Sequence, residues 1–237
     1  MSKSQDSAKE EAAIAALGYV EKGMKLGLGT GSTAEFFVRA LSEKAARFNI
    51  RATTTSERTE ALAKSLGIAL FPLAELAPLD LTVDGADELD EHLTLIKGGG
   101  GALLREKIVA SASRKMIVIA DDKKLVTRLG AFPLPIEVVV FGWQVTAQQI
   151  EEHARRTGCK GKIERRVVKD GSPFITDNGN YILDCTFGSI PDAKALAAQL
   201  GGIPGVVEHG LFIDIATLAL IGGEAGVRVM TASSKDR

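Results

Sequence analysis

The chain is short of most residues that announce a chemistry by themselves. It holds two cysteines, Cys159 and Cys185, without metal-ligand spacing and too few for a disulfide framework. Both read as reduced, buried thiols. Its three histidines, His92, His153 and His209, are scattered with no triad or metal pattern and read as structural or surface residues. No serine sits in a nucleophile-elbow pattern. The one tryptophan, Trp143, reads as packing near a junction between two parts of the chain. The formal net charge is -1, so no broad field points toward nucleic acid or an anionic membrane, and any anion site must be local. No apolar run approaches the ~20 residues of a membrane helix. The start, MSKSQDSAKEEAA, lacks the apolar core of a signal peptide. The expectation is a cytoplasmic protein. Neither an internal repeat nor a low-complexity tract occurs.

What is present is an ordinary globular composition, 45% hydrophobic and 25% charged, enough for a sizeable core in 237 residues. Residues 7–22 read as a helix. MKLGLGTGSTAEFFVRAL passes from a strand through glycines into a helix. IRATTT is a second strand, followed by the helix SERTEALAKSLG, with Thr54 and Glu57 at capping-box spacing and Gly67 at its end. LDLTVDGAD and KMIVIAD read as buried strands. Between them, HLTLIKGGGG reads as a strand leading into the helix ALLREKIVASASR. Strands alternating with helices predict an α/β, Rossmann-like domain on a mostly parallel sheet. Two prolines in residues 132–135 mark a linker. Beyond it the order is β-α-β-β-α-β, the split βαβ pattern of a small, ferredoxin-like α+β domain. The expected division is 1–132 with 211–237 for the outer domain and 133–210 for the insertion. IDIATLALIGG returns to the first domain, and the polar tail TASSKDR is expected to be disordered.

In open parallel sheets, ligands bind beyond the carboxyl ends of the strands. There the predicted strands deliver GTGST, TTTSE, DGADE, KGGGG and DDKK, with Lys123 and Lys124 in the last. GLGTGSTA has the first two glycines of a dinucleotide fingerprint, but Ser32 stands at the third position and the acid expected after strand two is missing. Two readings stay open: an ordinary glycine turn with Ser32 as helix cap, or a phosphate cradle of free amides with Thr30, Ser32 and Thr33 hydroxyls. DGADE is a turn with a capping aspartate, a Mg²⁺ carboxylate pair without a characteristic ligand motif behind it, or a carboxylate pair handling protons on sugar hydroxyls. KGGGGALLREK is the most informative. Each ordered glycine is ~0.5–1 kcal/mol less favourable than alanine, and four in a row let amides approach an anion beside a helix start. Lys97 adds a full charge. On the helix that follows, Leu104, Ile108 and Ala112 share one face and Glu106 lies opposite. Glu106 is either a solvated glutamate or a general base. The helix dipole would weaken such a base and burial would strengthen it.

Taken in order, GLGTGSTA, TVDGADELD, IKGGGGALLREKI, IADDKK, FPLPIEV and GVVEHGLF closely resemble the A-type ribose-5-phosphate isomerase family, across nearly the whole chain. Gly101 stands where alanine is also expected, a change without chemical consequence. The resemblance implies reversible conversion of D-ribose 5-phosphate and D-ribulose 5-phosphate in the non-oxidative pentose phosphate pathway, without metal or organic cofactor. It implies Glu106 as the base that moves a proton between C1 and C2 through a cis-enediolate. It places ligand contacts on Thr30, Gly31, Ser32 and Thr33, on Asp84, Gly85, Ala86 and Asp87, on Lys97, Gly98, Gly99 and Gly100, and on Lys124. Asp84 would assist opening of the furanose ring. Lys97 and the glycine amides would hold oxygen charge, and the threonine-serine loop with Lys124 would serve the phosphate. Homodimers or homotetramers are implied. The rival readings are a nicotinamide-dependent oxidoreductase, disfavoured by Ser32, and a non-catalytic sugar-phosphate sensor, which would not need Glu106, Asp84 and Lys97 together.

Overall fold

The computed structural model describes residues 4–232; residues 233–237, most of the TASSKDR tail, lie outside the described residues. The main sheet is built from β1 (Lys25–Leu28), β2 (Arg51–Thr54), β3 (Leu81–Asp84), β6 (Met116–Asp121), β12 (Leu218–Gly223) and β13 (Gly226–Thr231). Their spatial order is β13-β12-β6-β3-β1-β2. Every pairing is parallel except β12 with β13. Helices α1 (Gln5–Ala16), α2 (Ser32–Ala45), α3 (Glu57–Ser65), α4 (Leu73–Leu76) and α5 (Leu103–Ser111) accompany it. The central strand β6 is buried along its whole length, because both faces are covered. Ile117 and Ile119 join a core with Phe37, Leu41 and the alanines of α1. Met116, Val118 and Ala120 point the other way, into a core with Leu95 and Phe212.

The inserted order is as the sequence predicts. The elements run β7 (Leu134–Val138), α6 (Trp143–Arg156), β8 (Lys162–Arg165), β9 (Tyr181–Thr186), α7 (Ala193–Leu200) and β10 (Val206–His209); the four strands form an antiparallel sheet in the order β10-β7-β9-β8, and both helices pack in its core. Ile136, Ile150, Leu183 and Leu196 fill its core, which also takes in Ile96, Leu129 and Leu211.

Several local expectations are corrected. The strand before the glycines is not in the main sheet. It is β5 (Leu95–Ile96), between β4 (Glu88–Leu89) and β11 (Leu211–Phe212) in a three-stranded antiparallel sheet. The edge strand β13 was not expected, and it takes in Thr231 of the supposedly disordered tail. The first helix starts at Gln5 and gives way after Ala16 to a 3-10 turn. The cap of α3 is Ser56, whose hydroxyl accepts from Thr59 N, not Thr54. Helix α2 is capped by Gly31 at φ 111, so Ser32 is its first residue and not its cap. Trp143 opens α6, edge-on to Tyr181 and under the Arg165 guanidinium. Both cysteines are buried and free, as expected, and burial pushes both thiols up.

Candidate active site

Strand β3 ends in Asp84, and the glycine after β1 is what allows it. A Cβ on Gly29 would stand 2.1 Å from Asp84 Oδ1. With that space open, Asp84 Oδ1 accepts from Thr30 N at 3.0 Å and Gly85 N at 2.7 Å. The GTGST loop is tied from behind by hydroxyls. Thr30 Oγ1 lies 2.7 Å from both Thr55 Oγ1 and Ser56 Oγ, and Thr59 Oγ1 donates to Gly29 O at 3.0 Å. The TTTSE segment thus supports the loop. The amides of Ser32 and Thr33 precede the first intrahelical bond of α2, Glu35 N to Gly31 O, and make no hydrogen bond among the described residues.

Three charges meet below this loop. Lys97 Nζ is 3.0 Å from Asp84 Oδ2 and 3.4 Å from Glu106 Oε2, and it donates to Gly85 O at 2.6 Å. All three side chains are at least 95% buried. The carboxylate contacts with Lys97 are ion pairs without hydrogen-bond alignment, so Asp84 Oδ2 and Glu106 Oε2 keep unused acceptor capacity. Burial, with Asp84 adding to it, pushes Glu106 up to about 8, against the pull of Lys97. Desolvation therefore outweighs the attraction of the Lys97 ammonium. Burial also raises Asp84, opposed by Lys97 and the two backbone donors. For Lys97 burial acts downward, but the carboxylates outweigh it and the ammonium is held charged.

The predicted helical wheel of α5 is inverted. Leu103, Glu106, Val109 and Ala110 are its buried face, and Ile108 is exposed. Glu106 is buried because β3 and the glycine loop bring Asp84 and Lys97 to it, which no wheel of α5 alone contains.

A cleft of about 140 Å³ lies over these groups. It is lined by Thr30, Gly31, Ser32 and Thr33, by Gly85, Ala86 and Asp87, by Lys97, Gly98, Gly100 and Glu106, and by Lys124. Two predicted residues are not on its surface. Asp84 is fully buried behind Lys97. Gly99 turns its amide to Asp87 Oδ2 at 2.7 Å. Lys123 lines a different depression, beside Ser4 and Glu224.

Two lining residues were missed, Gln5 and Lys9 of α1. Gln5 Nε2 reaches Asp121 Oδ2 at 3.2 Å, and Lys9 pairs with Asp6 at 3.2 Å. The rule of loops at strand ends passes over α1, which follows no strand. Their i, i+4 spacing was the available signal. His209, read as structural, is buried beside Lys107, and desolvation followed by that lysine lowers it to about 4.

The model of the family ribose 5-phosphate isomerase A (phosphoriboisomerase A) matches residues 51–226. The chain belongs to the ribose 5-phosphate isomerase A family. A ribose-5-phosphate isomerase A from Parvibaculum lavamentivorans is 59% identical, covering 96% of this chain and 99% of that one. The crystal structure of ribose 5-phosphate isomerase A from Neisseria gonorrhoeae superposes with a TM-score of 0.89 at 36% identity, over 99% and 100% of the two chains. A solved D-ribose-5-phosphate isomerase in complex with phospho-erythronic acid gives 0.88 at 38% identity, over 97% and 100%. These matches cover nearly the whole chain, so the four-stranded sheet belongs to the ribose 5-phosphate isomerase A fold and is not an addition peculiar to this chain.

Proposed function

We propose that the chain is an aldose–ketose isomerase that interconverts D-ribose 5-phosphate and D-ribulose 5-phosphate through a cis-enediolate. The observation that carries the mechanism is the buried Glu106 in the lining of a cleft with open amides, its Oε2 paired with Lys97 at 3.4 Å and in no hydrogen bond. In this reading the Glu106 carboxylate takes the proton from C2 of the open-chain aldose, and charge develops on O1. Glu106 returns that proton to C1, while the O2 hydroxyl proton passes to O1. The net proton count is unchanged. Lys97 and the glycine-loop amides hold the oxygen charge, the role of an oxyanion hole. Asp84 assists ring opening from beneath Lys97. The phosphate sits at the Ser32 and Thr33 amides, in the cleft that Lys9 and Lys124 also line. The cation that neutralises the carboxylates is Lys97, which supports a reaction without metal or organic cofactor. The phosphorylated sugar acid bound by the solved relative supports the substrate class.

The same proposal includes a place in the non-oxidative pentose phosphate pathway, a cytoplasmic location, and a homodimer or homotetramer that sedimentation would distinguish from a monomer. It divides the chain into 1–132 with 211–237 and an inserted 133–210. Among the described residues no helix is long and apolar enough to cross a membrane.

Purified protein is expected to interconvert the two pentose phosphates in the presence of a chelator. Glu106→Gln is expected to lose roughly 10²–10⁴-fold in kcat while still binding phospho-erythronic acid. Near-normal turnover in that variant would remove Glu106 as the base. Strict dependence on an added divalent cation would defeat the metal-free mechanism.

A further inference from the structure

The glycine loop is held from outside the main sheet by one side chain. Arg166, just past β8, donates from Nη1 to Gly98 O at 2.9 Å and to Gly99 O at 3.1 Å. Its Nε and Nη2 grip both oxygens of Asp184 on β9, at 2.8 and 2.5 Å. The guanidinium also lies over the Phe174 ring, 5.7 Å from its centroid. Phe174 in turn fills the place a Cβ on Gly101 would take, with Cζ 2.4 Å from it. The same arm docks further on. Arg105 of α5 donates to Asp177 O at 2.7 Å and Asn178 Oδ1 at 3.0 Å, and Glu57 N donates to Asp177 Oδ2 at 2.9 Å.

A trans peptide is planar, with C=O and N–H pointing in opposite directions. Fixing the Gly98 and Gly99 carbonyls therefore fixes the N–H groups of Gly99 and Gly100 on the other side. The first is taken by Asp87, a cleft residue. The second makes no hydrogen bond among the described residues, and Gly100 lines the cleft. A glycine run has little conformational preference of its own to hold these planes. A turn bond from Gly101 N to Gly98 O at 2.9 Å holds the first plane from within the loop, and the fork of a guanidinium, pre-organised by a carboxylate, adds the restraint that reaches both carbonyls.

We propose that Arg166, held by Asp184, is a positioning residue of the isomerase: it locks two peptide planes, one that seats the Gly99 N–H on Asp87 and one that turns the Gly100 N–H to the cleft. The inserted sheet is thereby part of the catalytic apparatus, although neither Arg166 nor Asp184 lines the cleft. The inference rests on the isomerase reading above.

The test uses the full chain with Arg166→Ala, Arg166→Lys and Asp184→Asn. Misplacement of catalytic groups by about 1 Å can cost ~10²-fold, so Arg166→Ala is expected to lower kcat by roughly 10–100-fold with KM changed by less than about threefold. Ethylguanidinium added to Arg166→Ala is expected to restore part of kcat and to leave the wild type unchanged. Arg166→Lys and Asp184→Asn should fall between, and they carry the test if the alanine variant does not fold. Amide exchange at Gly99 and Gly100 should accelerate in the variants. A folded variant with unchanged kcat, with or without a lower melting temperature, would overturn the positioning role. Wild-type protein without turnover would overturn the isomerase reading instead, and the exchange measurement would still decide whether Arg166 fixes the loop.

Discussion

At the scale of single residues the decisive quantity is the proton affinity of Glu106. A base that titrates near 8 is mostly protonated below neutrality, so kcat/KM for the wild type should climb with pH and level off above about 8. A pH profile flat from 6 to 9 would contradict the assigned base. The same group affects stability. Its carboxyl ionises at an ordinary 4.5 in the unfolded chain and at about 8 in the folded one. Between those values the unfolded state holds fewer protons, so folding stability falls as pH rises, and the loss is complete above about 8. Glu106→Gln removes that ionisation. Its melting temperature should therefore gain on the wild type across this window, and a constant difference between the two would refute the raised affinity. Asp84, Lys97 and Glu106 titrate as a set, so the profile reports the cluster.

At the scale of elements the glycine loop separates what four glycines share from what each needs. Gly98 and Gly101 have φ of 109 and 80, a region that suits glycine. A Cβ on Gly101 would enter Phe174, whereas one on Gly100 meets only Thr30 Cγ2 at 3.7 Å. The family resemblance expects no chemical consequence at Gly101; the geometry gives the position a structural one. Gly101→Ala is expected to destabilise by about 1–3 kcal/mol, from backbone strain and the displaced ring, and Gly100→Ala by less than about 1 kcal/mol. Chemical denaturation of the two variants checks the order, and equal losses would contradict it. The same geometry explains why the loop could be found in the sequence while its attachment could not. KGGGG is contiguous, but Arg166 and Phe174 come from the other sheet.

At the scale of the whole molecule the three-stranded sheet joins the other two: Leu95 and Phe212 pack with the main sheet, Ile96 and Leu211 with the four-stranded one. Ile96, in the small sheet beside the cleft, packs in the cluster that holds Ile136, Leu183 and Leu196. Ile96→Ala should cost about 2–5 kcal/mol and lower the unfolding midpoint as one transition. A variant that split unfolding into two steps would show that the sheets are energetically separate. Such coupling is what a clamp from Arg166 to the glycine loop requires, since a restraint is only as rigid as the sheet that carries it.

The order of elements was legible in the sequence because hydrophobic period and turn residues are local properties. β6 reads as buried because all its residues are, and β7 to β10 read as split βαβ because the periods switch on cue. The chemistry-bearing loops were legible too, since glycine runs and their flanking acids and lysines are contiguous. β13 was hidden in a weakly patterned tail, and β5 seemed to belong to the main sheet because two residues cannot declare their neighbours. Only the tertiary structure decided which groups touch. It buried Glu106 against Lys97 and Asp84, withdrew Asp84 from the cleft surface, brought Gln5 and Lys9 of α1 to its edge, and set Arg166 on the carbonyls of Gly98 and Gly99. The sequence alone determined which groups were available. Their proton affinities and reach depend on distances between segments far apart in the chain, and on the water excluded between them, and those are set only when the sheets close on one another.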